Sequence, residues 1–103
     1  MDFDKMSEML SQATAMREQM EERLAQTIVE ADAGGGAITV RMNGRKELLK
    51  LTITPAAASA ASGDITMLED LIVAAVNEAG RKADQAAESS AAGMLGNLGL
   101  PGL

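Results

Sequence analysis

The sequence predicts an α+β domain in which one helix, three strands and a second helix follow one another. Apolar residues recur every three or four positions near the amino terminus, alternate with polar residues in the middle of the chain, and return to helical spacing after residue 64. The 103 residues fit one domain, and a hydrophobic content of 47% argues against wholesale disorder. A single domain covering residues 1–103 is therefore expected.

The first helix is predicted from about residue 3 to about residue 25, because no Gly or Pro interrupts this stretch. Its apolar side chains follow one another at intervals of 3, 4, 3 and 4, the spacing of a coiled-coil seam: Met6, Met9, Ala13, Met16 and Met20. A long helix with such a seam needs a partner. We therefore expect a homodimer interface formed by Met6, Met9, Met16, Met20 and Leu24.

Three strands are predicted between about residues 27 and 54. Residues 38–42 and 49–53 both alternate apolar and polar side chains, which is typical of strands with one buried face. Three consecutive glycines at 34–36 indicate a tight connection, and Pro55 ends the third strand. The strands are expected to form a small antiparallel sheet.

The Asn43-Gly44 pair favours a two-residue type I′ hairpin between the second and third strands. Such a loop sets Met42 opposite Arg45, Arg41 opposite Lys46 and Ile38 opposite Leu49. It would place three cations on the polar face, with Arg45 at the tip: Arg41, Lys46 and Lys50. Leu48 is out of phase with this pattern, which indicates a bulge or a looser turn.

The second long helix is predicted from about residue 65 to about residue 89. Asp64 is a candidate N-cap, and Thr66 and Glu69 have the spacing of a capping box. The preceding Ala/Ser run is expected to be a linker or one helical turn. The Gly/Leu-rich tail, residues 93–103, has too many glycines for a regular element, and its apolar side chains either pack on a neighbouring subunit or remain disordered: Met94, Leu95, Leu98, Leu100 and Leu103.

Composition excludes most catalytic and metal-binding templates. The chain has no Cys and no His, so disulfides, thiolate zinc sites, cysteine nucleophiles and imidazole bases are absent. We expect no enzyme activity, no metal, no cofactor and no small-molecule substrate. The longest strongly apolar run, residues 71–76, is too short to cross a membrane, and the acidic first residues do not resemble a secretory signal. A cytoplasmic protein without a membrane partner is expected.

Four of the nine Lys and Arg residues lie between positions 41 and 50, although the chain carries a formal charge of −6. This basic segment contains one acid, Glu47, and has a charge of +3 from these cations: Arg41, Arg45, Lys46 and Lys50. Two interpretations are open. The cations contact phosphate groups, or they keep an exposed sheet edge from pairing with other chains.

Four further cations lie on the predicted helices and would extend a phosphate-binding surface along them: Arg17, Arg23, Arg81 and Lys82. Arg17 with Glu21, and Glu78 with Lys82, also have the spacing of intrahelical ion pairs. A solvated, salt-bridged helix face is therefore the alternative for these residues.

Three segments carry a resemblance to a known family. "EADAGGGAITVRMNGR" (30–45), "LTITP" (51–55) and "MLEDLIVAAVNEA" (67–79) resemble the YbaB/EbfC family of bacterial nucleoid-associated proteins. The resemblance implies a homodimer of α-β-β-β-α subunits whose two long helices project like the arms of tweezers. It also implies binding to duplex DNA and association with the nucleoid.

With this resemblance the phosphate-contact interpretation is favoured for the basic segment. The leading hypothesis is a homodimer that binds duplex DNA through Lys and Arg with little sequence specificity and takes part in nucleoid organisation or gene regulation. The alternative is a dimeric protein–protein adaptor with little intrinsic affinity for DNA, in which the Met-lined helix or the tail docks onto a protein.

Overall fold

The computed structural model describes the backbone of residues 2–97 and the side chains of residues 2–93. The elements are helix α1 (Phe3–Gln26), strands β1 (Ile28–Ala33), β2 (Ile38–Asn43) and β3 (Leu48–Ile53), helix α2 (Pro55–Ala60), a 3-10 turn (Ala61–Gly63) and helix α3 (Ile65–Asn97). The strands form one antiparallel sheet in the order β1-β2-β3. The predicted α+β class and element order are confirmed.

The core lies between α3 and one face of the sheet. Small side chains at every fourth position of α3 let the helix approach β1 and β2 closely. The buried residues of the core are Ala31, Ile38, Val40, Met42, Ala75, Ala79 and Ala83. Of β3, Ile53 packs against this core, whereas the leucines of the strand are exposed. Leu51 pairs with Val40 on the same face, yet it remains 36% exposed while Val40 is fully buried. The covered face of the sheet therefore consists of β1, β2 and the Ile53 end of β3.

Helix α1 projects from the sheet. It has no buried residue, and only its carboxyl end is tied to the rest of the chain. The backbone N–H of Gly44 donates to the carbonyl oxygens of Leu24 at 2.8 Å and Thr27 at 2.9 Å. A Cβ at Gly44 would lie 2.9 Å from the Leu24 carbonyl oxygen, so glycine is required by this close approach.

The register of β2 and β3 differs from the predicted one. Arg41 lies opposite Lys50, Ile38 opposite Ile53 and Met42 opposite Leu48, with Leu49 as the extra residue of a bulge. The loop contains three residues, 44–46, because the N–H of Asn43 donates to the Glu47 carbonyl at 3.1 Å and that of Lys46 donates to the Asn43 carbonyl at 3.0 Å. The two-residue type I′ loop was therefore wrong. The irregularity that Leu48 indicated is present as this bulge.

Side-chain bonds and backbone angles explain the larger loop. The buried Asn43 accepts from the N–H groups of Arg45 and Glu47 at 3.0 Å each, and its Nδ2 donates to the Glu47 carboxylate at 2.8 Å. A type I′ turn needs a positive φ at both central residues, and Gly44 is not among the glycines with positive φ in the described chain. The left-handed residue is Lys46, with φ 67°.

Helix α3 begins as predicted and ends later. The Asp64 carboxylate accepts from the N–H of Thr66 at 3.1 Å, which caps the first turn. The helix passes Ser89 and ends at Asn97, so residues 93–97, predicted to be irregular, are helical. A helix already propagating from a packed segment tolerates a glycine at a cost of about 1 kcal/mol. The predicted packing of the tail concerns residues outside the described ones: Leu98, Leu100, Leu103 and the side chains of Met94 and Leu95.

The Ala/Ser run before α3 is helical. Thr54 caps α2 by accepting from the N–H of Ala57 at 3.2 Å, and Pro55 occupies the first helical position, where its missing N–H costs nothing. The 3-10 turn then leads into Asp64. This connection contains more helix than the linker or single helical turn that the sequence predicts.

Candidate nucleic-acid interface

The face of the sheet opposite α3, called the outer face below, carries two rows of polar side chains. Strand pairing sets Glu30, Arg41 and Lys50 in one row across the three strands, and Asp32, Thr39 and Thr52 in the next. These residues alternate with the core residues of the same strands, so they point away from α3. The outer face is therefore acidic along β1 and basic towards β3.

Arg41 is held by the neighbouring strand. Its Nε and Nη2 donate to the same carboxylate oxygen of Glu30, at 3.0 and 2.8 Å. Both side chains are about half exposed, 52% for Arg41 and 55% for Glu30. An ion pair this exposed contributes less than about 1 kcal/mol to stability. The guanidinium is therefore accessible to a ligand, although the Glu30 carboxylate would compete with that ligand for its hydrogen bonds.

Lys50 lies directly opposite Arg41 on β3. Like charges in this position repel each other, and Glu30 relieves the repulsion for Arg41 alone. Within the described part of the chain, no carboxylate lies within ion-pair distance of the Lys50 ammonium. Among the four cations of the basic segment, Lys50 is the one whose charge is available without competition.

The other two cations of the basic segment lie in the hairpin loop. The Nε of Arg45 is 3.9 Å from the Glu47 carboxylate. The Lys46 ammonium is 3.4 Å from the Asp84 carboxylate of α3, with its stem passing over Gly80. The prediction that Lys46 shares a face with Arg41 and Lys50 was therefore wrong. The left-handed backbone of Lys46 turns its side chain towards α3.

The two cations of α3 are also engaged. Nε and Nη2 of Arg81 donate to the Glu78 carboxylate at 3.0 and 2.6 Å. The Lys82 ammonium donates to the backbone carbonyl oxygen of Glu30 at 2.8 Å, so it joins α3 to the edge strand β1. Helical spacing suggested an ion pair between Glu78 and Lys82, but Glu78 pairs with Arg81 instead.

Arg17 and Arg23 lie on the exposed surface of α1, apart from the sheet. The Arg17–Glu21 pair suggested by the spacing is not formed. Neither arginine has an ion pair in the region that the structure describes. The structure thus brings Arg41 and Lys50 together, and it distributes the other predicted cations over the loop, α3 and α1.

The proposed seam of α1 is largely uncovered within one chain. Met9 is 70% exposed, Met16 45% and Met6 41%, whereas Met20 and Leu24 are half-buried.

A second apolar surface was not predicted from the sequence. It is formed by β3, where Leu48, Leu49 and Leu51 are exposed. Alternation assigned part of this strand to the core, but the length of sheet that α3 covers could not be known from alternation.

Two properties of the described residues bear on other kinds of site. No three His, Cys, Asp or Glu side chains in the described residues cluster as a metal site would require. In the same part of the chain, no helix combines the length and apolar content needed to cross a membrane.

Comparison with known proteins identifies the family. The YbaB/EbfC DNA-binding family model matches residues 1–98. The chain is 62% identical over 100 residues to a nucleoid-associated protein of Acidobacterium capsulatum, covering 94% of this chain and 93% of that protein. It is 48% identical over 97 residues to a nucleoid-associated protein of Koribacter versatilis, covering 94% of each. Its fold is similar to the crystal structure of an uncharacterised protein from Helicobacter pylori, with a TM-score of 0.74, 26% identity and coverage of 92% of this chain and 98% of that chain. This chain therefore belongs to the YbaB/EbfC DNA-binding family.

Proposed function

We propose that this protein binds duplex DNA as a homodimer, through Lys and Arg contacts to phosphate groups, and acts in nucleoid organisation or gene regulation. Membership of a DNA-binding family, and relatives named as nucleoid-associated proteins, support this function. The family is not an enzyme family, and no catalytic role is proposed.

The observation that carries the proposal is the exposed Arg41–Lys50 pair on the outer face. The two side chains lie opposite each other on adjacent strands, where two positive charges at one spot favour an anionic ligand. The single aromatic residue of the chain, Phe3, lies on α1 and not on the sheet. Binding therefore relies on the DNA backbone and not on base stacking, so we expect low sequence specificity and a strong dependence on salt.

The homodimer is supported by α1. A helix of 24 residues with no buried residue gains little from its own chain, and its exposed methionines have coiled-coil spacing. Pairing of two α1 seams would cover these side chains. A two-fold axis would also duplicate the cations presented to DNA.

Charge reversal of Lys50 tests the proposed contact. Lys50→Glu should weaken binding to a duplex of about 30 base pairs by tenfold or more at about 50 mM salt, because it replaces a phosphate contact with a repulsion. Fluorescence anisotropy of the labelled duplex measures the affinity. Lys5→Glu on α1 is the matched control, since it changes the net charge by the same amount away from the sheet.

The pair of variants separates a local contact from a general charge effect. Equal losses in Lys50→Glu and Lys5→Glu would show that only the total charge matters. Unchanged affinity in Lys50→Glu would remove the outer face from the proposal. Circular dichroism of both variants checks that the fold is retained.

A dimeric protein–protein adaptor remains the second candidate, because one observation favours it. Three of the four cations in the basic segment have carboxylate partners, and the whole chain is acidic. A pull-down from lysate treated with DNase distinguishes the two functions. An adaptor retains a stoichiometric protein partner after DNA is destroyed, whereas a DNA-binding protein loses its associated material.

A further inference from the structure

The cleft beside the Arg41–Lys50 pair has the composition of an anion site. It has a volume of about 120 Å³ and is lined by residues of all three strands, with the side chain of Val40 turned to the core on the other face: Glu30, Thr39, Val40, Arg41, Lys50 and Thr52. This volume equals that of about four water molecules in the liquid, so a single tetrahedral anion fits. The cleft is thus a defined place on an otherwise open sheet.

Cross-strand pairing determines which groups face the cleft. Arg41 is opposite Lys50 and Thr39 is opposite Thr52, with the two pairs two residues apart along each strand. Residues two apart on a strand lie on the same face, so two cations and two hydroxyls are grouped together. No other pair of strand positions in the described chain combines two cations with two hydroxyls.

The hydrogen-bond donors of these groups are largely unused by the protein. Arg41 directs Nε and one Nη2 hydrogen to Glu30, which leaves three of its five N–H donors. In the described part of the chain, neither threonine hydroxyl donates to a protein acceptor, and Lys50 has no carboxylate partner. Hydroxyl, ammonium and guanidinium donors in one cleft suit the oxygens of a phosphate group.

The acidic side of the outer face restricts where an anion can lie. Glu30 and Asp32 both stand on β1, opposite Arg41 and Thr39 respectively. They repel an anion from that edge. The favourable position is therefore between β2 and β3, where the Lys50 and Thr52 donors lie.

We propose that Arg41, Lys50, Thr39 and Thr52 form a discrete phosphate-binding site in which the two threonine hydroxyls are ligands. The inference deepens the proposed function, on which it rests when the phosphate is a phosphodiester of DNA. The same chemistry would accept free inorganic phosphate. Neither threonine carries charge, so their contribution is separable from the electrostatic attraction of the cations.

Paired substitutions isolate the hydroxyls. The double variant Thr39→Val/Thr52→Val removes both hydroxyls and keeps the β-branched shape that strands favour, so the sheet should be retained. The matched control, Thr39→Ser/Thr52→Ser, keeps the hydroxyls. Amide chemical shifts are recorded by NMR during titration with inorganic phosphate, against chloride at equal ionic strength. Shifts at residues 39–41 and 50–52 are expected in the wild type and the Ser variant and not in the Val variant.

A duplex arm identifies the source of the phosphate. The Val variant should bind the duplex roughly 5- to 100-fold more weakly than the wild type, as expected for two lost hydrogen bonds, with an unchanged salt slope because no charge is removed. Loss in this arm assigns the site to the DNA backbone. Loss of the phosphate-induced shifts alone assigns it to free phosphate.

The two arms also separate the inference from the proposed function. If the wild type binds duplex and the Val variant matches it in both arms, the threonine site is wrong and the proposed function stands. If the wild type does not bind duplex but its phosphate-induced shifts are lost in the Val variant, the site stands and the proposed function fails. Shifts spread evenly over all Lys and Arg positions would overturn the discrete site.

Discussion

At the scale of single residues, Glu30 links the candidate interface to α3. Its carboxylate accepts two hydrogen bonds from Arg41, and its backbone carbonyl accepts one from Lys82. The carboxylate bonds compete with any phosphate for the same guanidinium, whereas the carbonyl bond does not depend on the Glu30 side chain. Glu30 therefore lowers the affinity of the outer face for anions while contributing little to stability.

Glu30→Gln should raise duplex affinity, by about two- to fivefold, because it removes one negative charge beside Arg41 and leaves an amide oxygen, a weaker acceptor for the guanidinium than a carboxylate. The free energy of unfolding should change by less than about 1 kcal/mol, since the ion pair is exposed. Anisotropy with the duplex and urea denaturation measure the two quantities. Glu8→Gln on α1 is the control with the same change in net charge, and an equal gain in that variant would contradict local competition.

At the scale of elements, α1 and the hairpin have different relations to the sheet. α1 touches the body of the chain only near its carboxyl end, so its exposed methionines are free to contact another molecule. The hairpin loop is tied to both long helices, through Gly44 to the end of α1 and through Lys46 to Asp84 of α3. A change in the middle of α1 should therefore affect association without affecting the sheet.

Met9→Glu should dissociate the proposed dimer, because it places a charge at Met9, the most exposed methionine of the seam. Sedimentation velocity measures the mass, and circular dichroism should show the secondary structure of the body retained. Ser11→Glu introduces the same charge on the opposite side of α1, where it should leave the dimer intact. A dimer that persists in Met9→Glu would assign its interface elsewhere, with the exposed leucines of β3 as the next surface to test.

At this scale the sequence predicts the features that depend on neighbouring residues along the chain. The 3-and-4 spacing of the methionines predicts α1 because helical periodicity is a property of neighbouring residues, and the alternation at 38–42 predicts β2 for the same reason. The hairpin register depended instead on tertiary contacts. Gly44 approaches Leu24 of α1, and Lys46 reaches Asp84 of α3, 38 residues later in the sequence.

The candidate site was predictable to the same degree. The sequence grouped Arg41 with Lys50, because both occupy polar positions of alternating strands. It could not assign Glu30 to Arg41, since that contact needs the β1–β2 register. The alternating pattern identifies the threonines of the cleft only as polar positions, and their grouping with the cations follows from the observed pairing of β2 with β3.

At the scale of the whole molecule, the chain is long and acidic. Its radius of gyration is 19.8 Å and its longest dimension 69 Å, whereas a compact domain of 100 residues has a radius of gyration of about 13 Å. The net negative charge of the molecule opposes attraction to DNA at long range. We expect attraction only over short distances, where the cations of the outer face are closer to the phosphate groups than the other charges of the chain are. Affinity should therefore depend on how many copies of that face one assembly presents.

The salt dependence of binding measures this number. If Arg41 and Lys50 of both subunits each neutralise one phosphate, four contacts give a slope of log affinity against log salt of about −3.6, so affinity should fall roughly 100-fold between about 50 and 200 mM salt. The monomeric variant Met9→Glu should give about half that slope, because each monomer presents one face, while Ser11→Glu should keep the full slope. Anisotropy over a series of salt concentrations supplies all three values. A full slope in a variant that sedimentation shows to be monomeric would mean that the contacts lie within one subunit, in which case the cations of the loop and α3 must exchange their carboxylate partners for phosphate.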